Sequence, residues 1–282
     1  MLNLNNNLKT YFHKYKYMSF LQNINPHPKD KNVSFYDPTH TYTITRTVSN
    51  GNKYKDSTFT SVTTWIHSLF EGFDADKIIT KMMLSHKWSQ SKYYGMTREE
   101  IKAQWETNRD NSARQGTQMH YDIECFYNNM DVSNNSIEYK WFLDFENKRD
   151  KDKLTPYRTE MIVYDEELKL VGSIDMLFEE KDGSLHIYDW KRCREIKKTN
   201  MWATSPVECI SNIPDSNFWH YALQLNTYKR LLERNYDKKI NELFIVCLHP
   251  DNKNNSYMKI KVPILDDEMH NLFEYRKNNI TT

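Results

Sequence analysis

Leu170-Val-Gly-Ser-Ile-Asp175-Met-Leu-Phe178, a turn at Asp182-Gly183, and Leu185-His-Ile-Tyr-Asp189-Trp-Lys191 are the most informative stretch of this 282-residue chain. Both runs alternate with period two and are rich in β-branched and aromatic residues, and Asp-Gly between such runs is a hairpin signal, so two antiparallel strands are predicted. Side chains at i and i+2 of a strand share a face. Asp189 and Lys191 therefore point one way and Trp190 the other, and a carboxylate and an ammonium flank one position. Alone, an Asp-x-Lys tripeptide usually means an exposed ion pair. The Gly172-x-x-Asp175 on the preceding strand is what makes this one a candidate site.

Working outward, Arg158-Thr-Glu160-Met-Ile-Val-Tyr164 reads as a third strand, with Glu160 a further carboxylate. Downstream lie a polar loop, a helix over Trp219–Glu233 and a buried strand, Glu242-Leu-Phe-Ile-Val-Cys-Leu248. Strands followed by helix and strand indicate an α/β fold with a mixed sheet. Gln224 and Tyr228 sit one turn apart on that helix, where an amide and a phenol on one face can hold a phosphate or a base; a core role for Tyr228 beside Leu225 and Leu232 is the alternative.

Upstream, a helix is predicted to begin near Asn111 or Ser112, with Met119, Ile123 and Phe126 as its apolar stripe. Gly116, His120 and Glu124 fall at i, i+4 and i+8 along its other face. A lone helical His is more often a satisfied or exposed side chain than a ligand. Arg114, near the predicted helix start, offers a bidentate donor for phosphate. Another helix is expected over Ile137–Phe145. From Val62 to about Phe126 the pattern is helical, with a capping box at Thr97 to Glu100. His40-Thr-Tyr-Thr-Ile-Thr-Arg46, a turn at Ser49-Asn50-Gly51-Asn52 and Thr58-Phe-Thr-Ser-Val62 suggest a β-hairpin. The expected organisation is a flexible leader over 1–32, a hairpin and helical subdomain over 33–110, and a catalytic core over 111–282.

Composition narrows the class. Charged residues make up 27% and the formal net charge is only +1, so any nucleic-acid surface must be local. The best local run is Lys191 to Lys198, five cations against Glu195; such a run is ordinarily a solvated face. Cys125, Cys193, Cys209 and Cys247 show no zinc-type spacing, which favours a reduced intracellular protein. No apolar stretch is long enough to span a bilayer and no signal peptide is visible, so a soluble, intracellular chain without membrane contact is expected. Heavy use of Asn and only 6 Gly fit coding by an AT-rich genome, such as a viral one.

In their order and on these elements, the motifs resemble the PD-(D/E)xK nuclease superfamily, in its RecB-type, lambda-exonuclease-like and mitochondrial genome maintenance exonuclease branch. Gly116-Thr117-Gln-Met-His120 resembles that branch's Gly-Thr-x-x-His signature. Val171-Gly172-Ser-Ile-Asp175 and Asp189-Trp190-Lys191 resemble the two acidic motifs, and Gln224-Leu-Asn-Thr-Tyr228 the Gln-x-x-x-Tyr motif. Together these cover about residues 112–230. The resemblance implies a restriction-endonuclease-like core, a central mixed β-sheet flanked by helices, with the N-terminal hairpin and helices added to it.

It also implies roles. His120, Asp175, Asp189 and the carbonyl of Trp190 would bind Mg2+ or Mn2+. Lys191 would position or activate water and stabilise the transition state. Glu160 matches a frequent acidic position and is either catalytic or supporting. Arg114, Gly116, Thr117, Gln224 and Tyr228 would contact DNA, as single strands or duplex ends. The cysteine spacing lacks the iron-sulfur pattern of some relatives, so no cluster is expected. The function implied is a DNA exonuclease of replication, recombination or repair; an endonuclease on DNA or RNA, a non-catalytic nucleic-acid-binding module, and a structural partner protein are the alternatives.

Overall fold

The computed structural model describes residues 20–36, 39–48 and 51–280. Its centre is a mixed sheet built on β6 (Leu170–Glu179). One edge of β6 pairs along its length with β5 (Thr155–Asp165), antiparallel. The other edge is shared: β4 (Thr60–Ser61) runs parallel to Leu170 and Val171, and β7 (Leu185–Lys191) runs antiparallel to Met176–Glu179. Residues 172–175 lie between these two partners. Beyond β7 follow β8 (Ile240–Cys247), parallel to it, and β9 (Met258–Val262), antiparallel to β8.

The hairpin joining β6 to β7 follows from its turn chemistry. Gly183 takes φ +81°, a left-handed conformation that glycine adopts at no steric cost, and the Ser184 N–H donates to Asp182 Oδ1 at 3.0 Å.

Apolar residues of the strands bury themselves on both faces. One face carries Leu177, Ile187 and Ile245 against α2 (Val62–Ser68), α6 (Asn217–Asn235) and α7 (Asp266–Asn279). The opposite face carries Met176, Phe178, Tyr188 and Trp190 against α4 (Arg98–Tyr127) and α5 (Ile137–Lys148). Between α2 and α4 runs α3 (Ala75–Met83). A separate antiparallel sheet of β1 (Val33–Tyr36), β2 (Thr41–Thr47) and β3 (Lys53–Asp56) packs Ile44 against Tyr164 and Val171.

The predicted α/β core is present, and several local expectations are corrected. Where two helices were expected between Val62 and Phe126 to meet near Asn111, one helix runs unbroken through that point. The capping box forms at Thr97 and Glu100, whereas Asn111 Oδ1 accepts from Arg114 one turn on and does not cap a new helix. The second arm of the N-terminal hairpin is Lys53–Asp56, not Thr58–Val62. Thr60 and Ser61 join the main sheet instead, and Ser61 caps α2 by accepting from the Thr64 N–H. Ser49 and Asn50 of the predicted turn lie outside the described residues. Neither β9 nor α7 was anticipated.

Residues 20–32, assigned to a flexible leader, pack on β5. Leu21 is buried in α1 (Phe20–Ile24), Asn25 donates to the Tyr157 carbonyl at 2.8 Å, and Asp30 pairs with buried Arg158 at 3.0 Å. Among the described residues, no helix is long and apolar enough to cross a membrane.

Candidate active site

A local defect in the β5–β6 pair sets the site. Thr159 pairs with Met176 and Met161 with Ile174, so Glu160 lies opposite Asp175. Thr159 and Met176 both face α4, the first through Asn128 of its C-terminal end at 2.8 Å. Two residues on, Met161 and Ile174 face α6. A regular strand returns to the same face every two residues, so both strands change face between these pairs. Glu160 absorbs the change with φ +45°, a left-handed conformation costly for a non-glycine residue and characteristic of functional positions. The two carboxylates therefore emerge at the sheet's own level instead of entering either core.

Next to them β6 and β7 part. Their pairing ends at Met176 and Tyr188, and the carboxylate of Asp175 enters the fork, where its Oδ2 accepts the Trp190 N–H at 2.8 Å. From α4, His120 reaches in, with Nδ1 3.5 Å from Asp175 Oδ2 and 3.8 Å from Glu160 Oε1. Ligand atoms of His120, Glu160 and Asp175 all lie within 4.8 Å of one another. Ser173 Oγ donates to Glu160 Oε2 at 2.8 Å and fixes that carboxylate.

Asp189 and Lys191 share the α6 side of β7 while Trp190 packs against Phe142 and Phe145 on the other, as the strand period requires. Lys191 Nζ is 2.7 Å from Asp189 Oδ2, yet neither buried oxygen of Asp189 receives a well-directed hydrogen bond. Above the ammonium lie the Tyr221 ring, 4.7 Å away, and Gln224 Oε1 at 3.5 Å. Gln224 Nε2 in turn donates to the Tyr228 hydroxyl at 3.3 Å.

The charges are strongly coupled. Burial pushes Asp175 up to about 7, with Asp189 and Glu160 adding to the rise and His120 opposing it. Burial pulls the His120 imidazolium down, but Asp175 and Glu160 prevail and hold it at about 9. Glu124, one turn along α4, is raised to about 7 by burial and by Glu160. Burial opposes the Lys191 charge, and Asp189 and Asp175 outweigh that and raise its pKa. Four carboxylates, Glu124, Glu160, Asp175 and Asp189, stand against one imidazole and the Lys191 ammonium, and both Asp189 oxygens are buried without a directed donor, so the set is short of positive charge. A divalent cation on hard oxygen ligands and one imidazole supplies it.

Not every expected residue arrives at this point. Asp189 stands beside the three-residue cluster, engaged with Lys191, while Glu160 takes the third place. Tyr228 is 3% exposed, the core placement that was the alternative to a nucleic-acid contact; its ring fills the space over Gly172, where a Cβ would meet Tyr228 Cε1 at 2.8 Å. Gln224 is buried against Lys191. Arg114 and Thr117 are exposed on α4, and a Cβ at Gly116 would meet nothing, so this face of the helix is open above His120. The basic run is dispersed: Arg192 pairs with Glu138 at 2.7 Å and Lys197 with Glu195 at 3.6 Å.

Three neighbours escaped the sequence reading. Ser173, two residues before Asp175, and Tyr221, one turn before Gln224, were accessible from spacing alone. Tyr42 was not: it belongs to the small sheet, and burial, Glu160 and Asp175 push its phenol up to about 12.

This geometry on a mixed sheet agrees with a family model for the PD-(D/E)XK nuclease superfamily that matches residues 64–280. The chain belongs to that superfamily. The match spans every strand of the main sheet except β4 and includes all the site residues from His120 to Tyr228. Comparison with curated proteins gives no match. Membership supports a phosphodiesterase activity of nuclease type, with nucleic acid as the substrate class.

Proposed function

We propose that this superfamily member is a Mg2+- or Mn2+-dependent DNA nuclease acting on strand ends, an exonuclease of replication, recombination or repair. The observation that carries the reading is the convergence of His120, Glu160 and Asp175 beside a buried, under-satisfied Asp189 and the Lys191 ammonium. The preference for DNA ends rests on the RecB-type motif set, Gly116-Thr117-x-x-His120 and Gln224-x-x-x-Tyr228.

In this reading His120, Glu160, Asp175 and Asp189 hold the ion. The Trp190 carbonyl joins them: Lys191 O accepts from Leu248 N on the β8 side, so the preceding peptide turns to the fork, where the Trp190 N–H already meets Asp175. A bound divalent ion supplies activation of water and neutralisation of charge on the phosphoryl oxygens. The protein does the rest by position. Lys191 places its ammonium beside the ligand carboxylates without being a ligand, so it acts on charge that develops as the phosphodiester is attacked. Gln224 and the Tyr221 ring fix that ammonium, Tyr228 fixes Gln224, and Gly172 leaves room for Tyr228. Arg114, Gly116 and Thr117 form the open wall along which the DNA backbone approaches.

The test compares a linear duplex with a covalently closed circle of the same sequence. Linear DNA should be lost from its ends in magnesium or manganese, with the circle intact and both untouched in calcium or EDTA. Cutting of the circle as fast as the linear form would make this an endonuclease, and cleavage in excess EDTA would remove the metal from the reading.

A further inference from the structure

Two cysteines at the end of the β7–β8 pair take no part in the chemistry above. Cys193 lies two residues past Lys191, and Cys247 is the register partner of Lys191 on β8. Both are free thiols, yet their Sγ atoms lie 3.5 Å apart across 54 residues of chain. Cys247 is buried in the core under α6, and half-buried Cys193 packs against that core. Both sulfurs therefore occupy the α6 side of the sheet, the side on which Lys191 carries its ammonium beneath the Tyr221 ring.

A disulfide holds its sulfurs about 2.05 Å apart, so an approach of about 1.5 Å would join these two. The chain can supply it, because β7 ends at Lys191 and residues 192 and 193 belong to no strand. The roles of the two thiols differ. Exchange with a disulfide needs an accessible thiolate to begin it. The hydrogen bond with Cys247 and the Lys191 charge lower the Cys193 thiol against the pull of burial, while that same bond and burial raise Cys247. Cys193 is the sulfur that attacks, and Cys247 the one that resolves.

We propose that Cys193 and Cys247 are a redox modification site that closes to a reversible disulfide and, when closed, slows the nuclease by displacing Lys191. The oxidant is a small-molecule disulfide, for which glutathione disulfide is the probe. The Cys193 thiolate attacks one sulfur of the probe and releases one glutathione, which takes up the proton Cys193 gave. Cys247 then loses its proton and attacks the Cys193 sulfur, and the second glutathione leaves with that proton. The protein gives up two electrons and two hydrogens, and the probe is reduced to two thiols. The bond itself does not depend on the nuclease reading; its effect on rate does. Arg192 is held by Glu138 at 2.7 Å and the Lys191 carbonyl accepts from Leu248 N at 2.9 Å, so drawing Cys193 towards β8 strains the two residues between these anchors and the new bond. Lys191 is one of them.

The experiment treats the reduced full chain with glutathione disulfide, maps its peptides by mass without reduction, and measures single-turnover cleavage in magnesium. A cross-linked pair of peptides carrying residues 193 and 247, two hydrogens lighter than the free thiols, is expected. Cleavage should fall about tenfold or more, since a misplacement of about 1 Å can cost a hundredfold, and dithiothreitol should restore it. Cys193→Ser should cleave like the reduced wild type and ignore the probe. Cys247→Ala should stop at one glutathione on Cys193. Absence of the cross-link, a cross-linked protein that cleaves at the reduced rate, or an equal loss in Cys193→Ser overturns the proposal. A reduced wild type that cleaves nothing defeats the nuclease reading, and the cross-link, read by mass, then decides this inference.

Discussion

The ring of Tyr228 occupies the place where a side chain at residue 172 would stand, with Cε1 2.8 Å from an ideal Cβ position. Two motifs distant in sequence are thus one packing unit: glycine on β6 admits the tyrosine of α6, and the tyrosine holds Gln224 against Lys191.

Gly172→Ala is therefore expected to destabilise the protein by about 1–3 kcal/mol, the usual cost of overpacking a filled core, and to slow cleavage by displacing Gln224. Adding Tyr228→Leu should recover part of the stability without recovering activity, because the hydroxyl that accepts from Gln224 is gone. Thermal melts and single-turnover rates of the single and double variants give the coupling. Additive losses would mean that the two residues do not share a space.

Lys191→Ala should lower the single-turnover cleavage rate by on the order of a hundredfold, comparable to losing one transition-state donor, while DNA affinity in calcium changes little. Lys191→Arg should not restore the rate, since a planar guanidinium cannot place its charge at the same point between Asp189 and Gln224. Unchanged cleavage in the alanine variant would make Asp189 and Lys191 an ordinary ion pair.

Burial raises Asp175 from the ordinary carboxylate range to about 7. A group whose folded pKa lies above its unfolded one stabilises fully below the unfolded value, and that stability is lost as pH rises through the folded value. Metal-free protein should therefore melt lower at pH 8 than at pH 6, and His120, also raised, acts in the same direction. Asp175→Asn should flatten this difference, abolish cleavage and weaken stabilisation by magnesium. An asparagine variant that unfolds at both pH values would show that the carboxylate holds the fold.

Asp30 and Arg158 form a buried ion pair at 3.0 Å, and Arg158 Nε has no partner of its own. Asp30→Ala should cost roughly 3–5 kcal/mol, the penalty for stranding a buried charge. Urea unfolding measures it; a change under 1 kcal/mol would mean that residues 20–32 are dispensable to the core.

The features set by neighbours close in the chain were legible in the residue pattern. Period-two alternation and Asp182-Gly183 specified the β6–β7 hairpin, the strand period placed Asp189 and Lys191 on one face with Trp190 on the other, and Thr97 with Glu100 started α4. These depend on neighbours a few residues apart. Tertiary structure decided which carboxylates meet. Glu160 joins His120 and Asp175 because both strands change face at that pair, a defect that no side-chain pattern announces and that a left-handed φ at a glutamate makes possible. Tyr228 belongs to the core because Gly172 lies under it, and Tyr42 feels the charges of Glu160 and Asp175 because a separate small sheet packs over Tyr164 and Val171. Residues 20–32 read as a polar leader, since Leu21, Asn25 and Asp30 are scattered along it without a period, and the value of their contacts exists only once β5 is there to receive them.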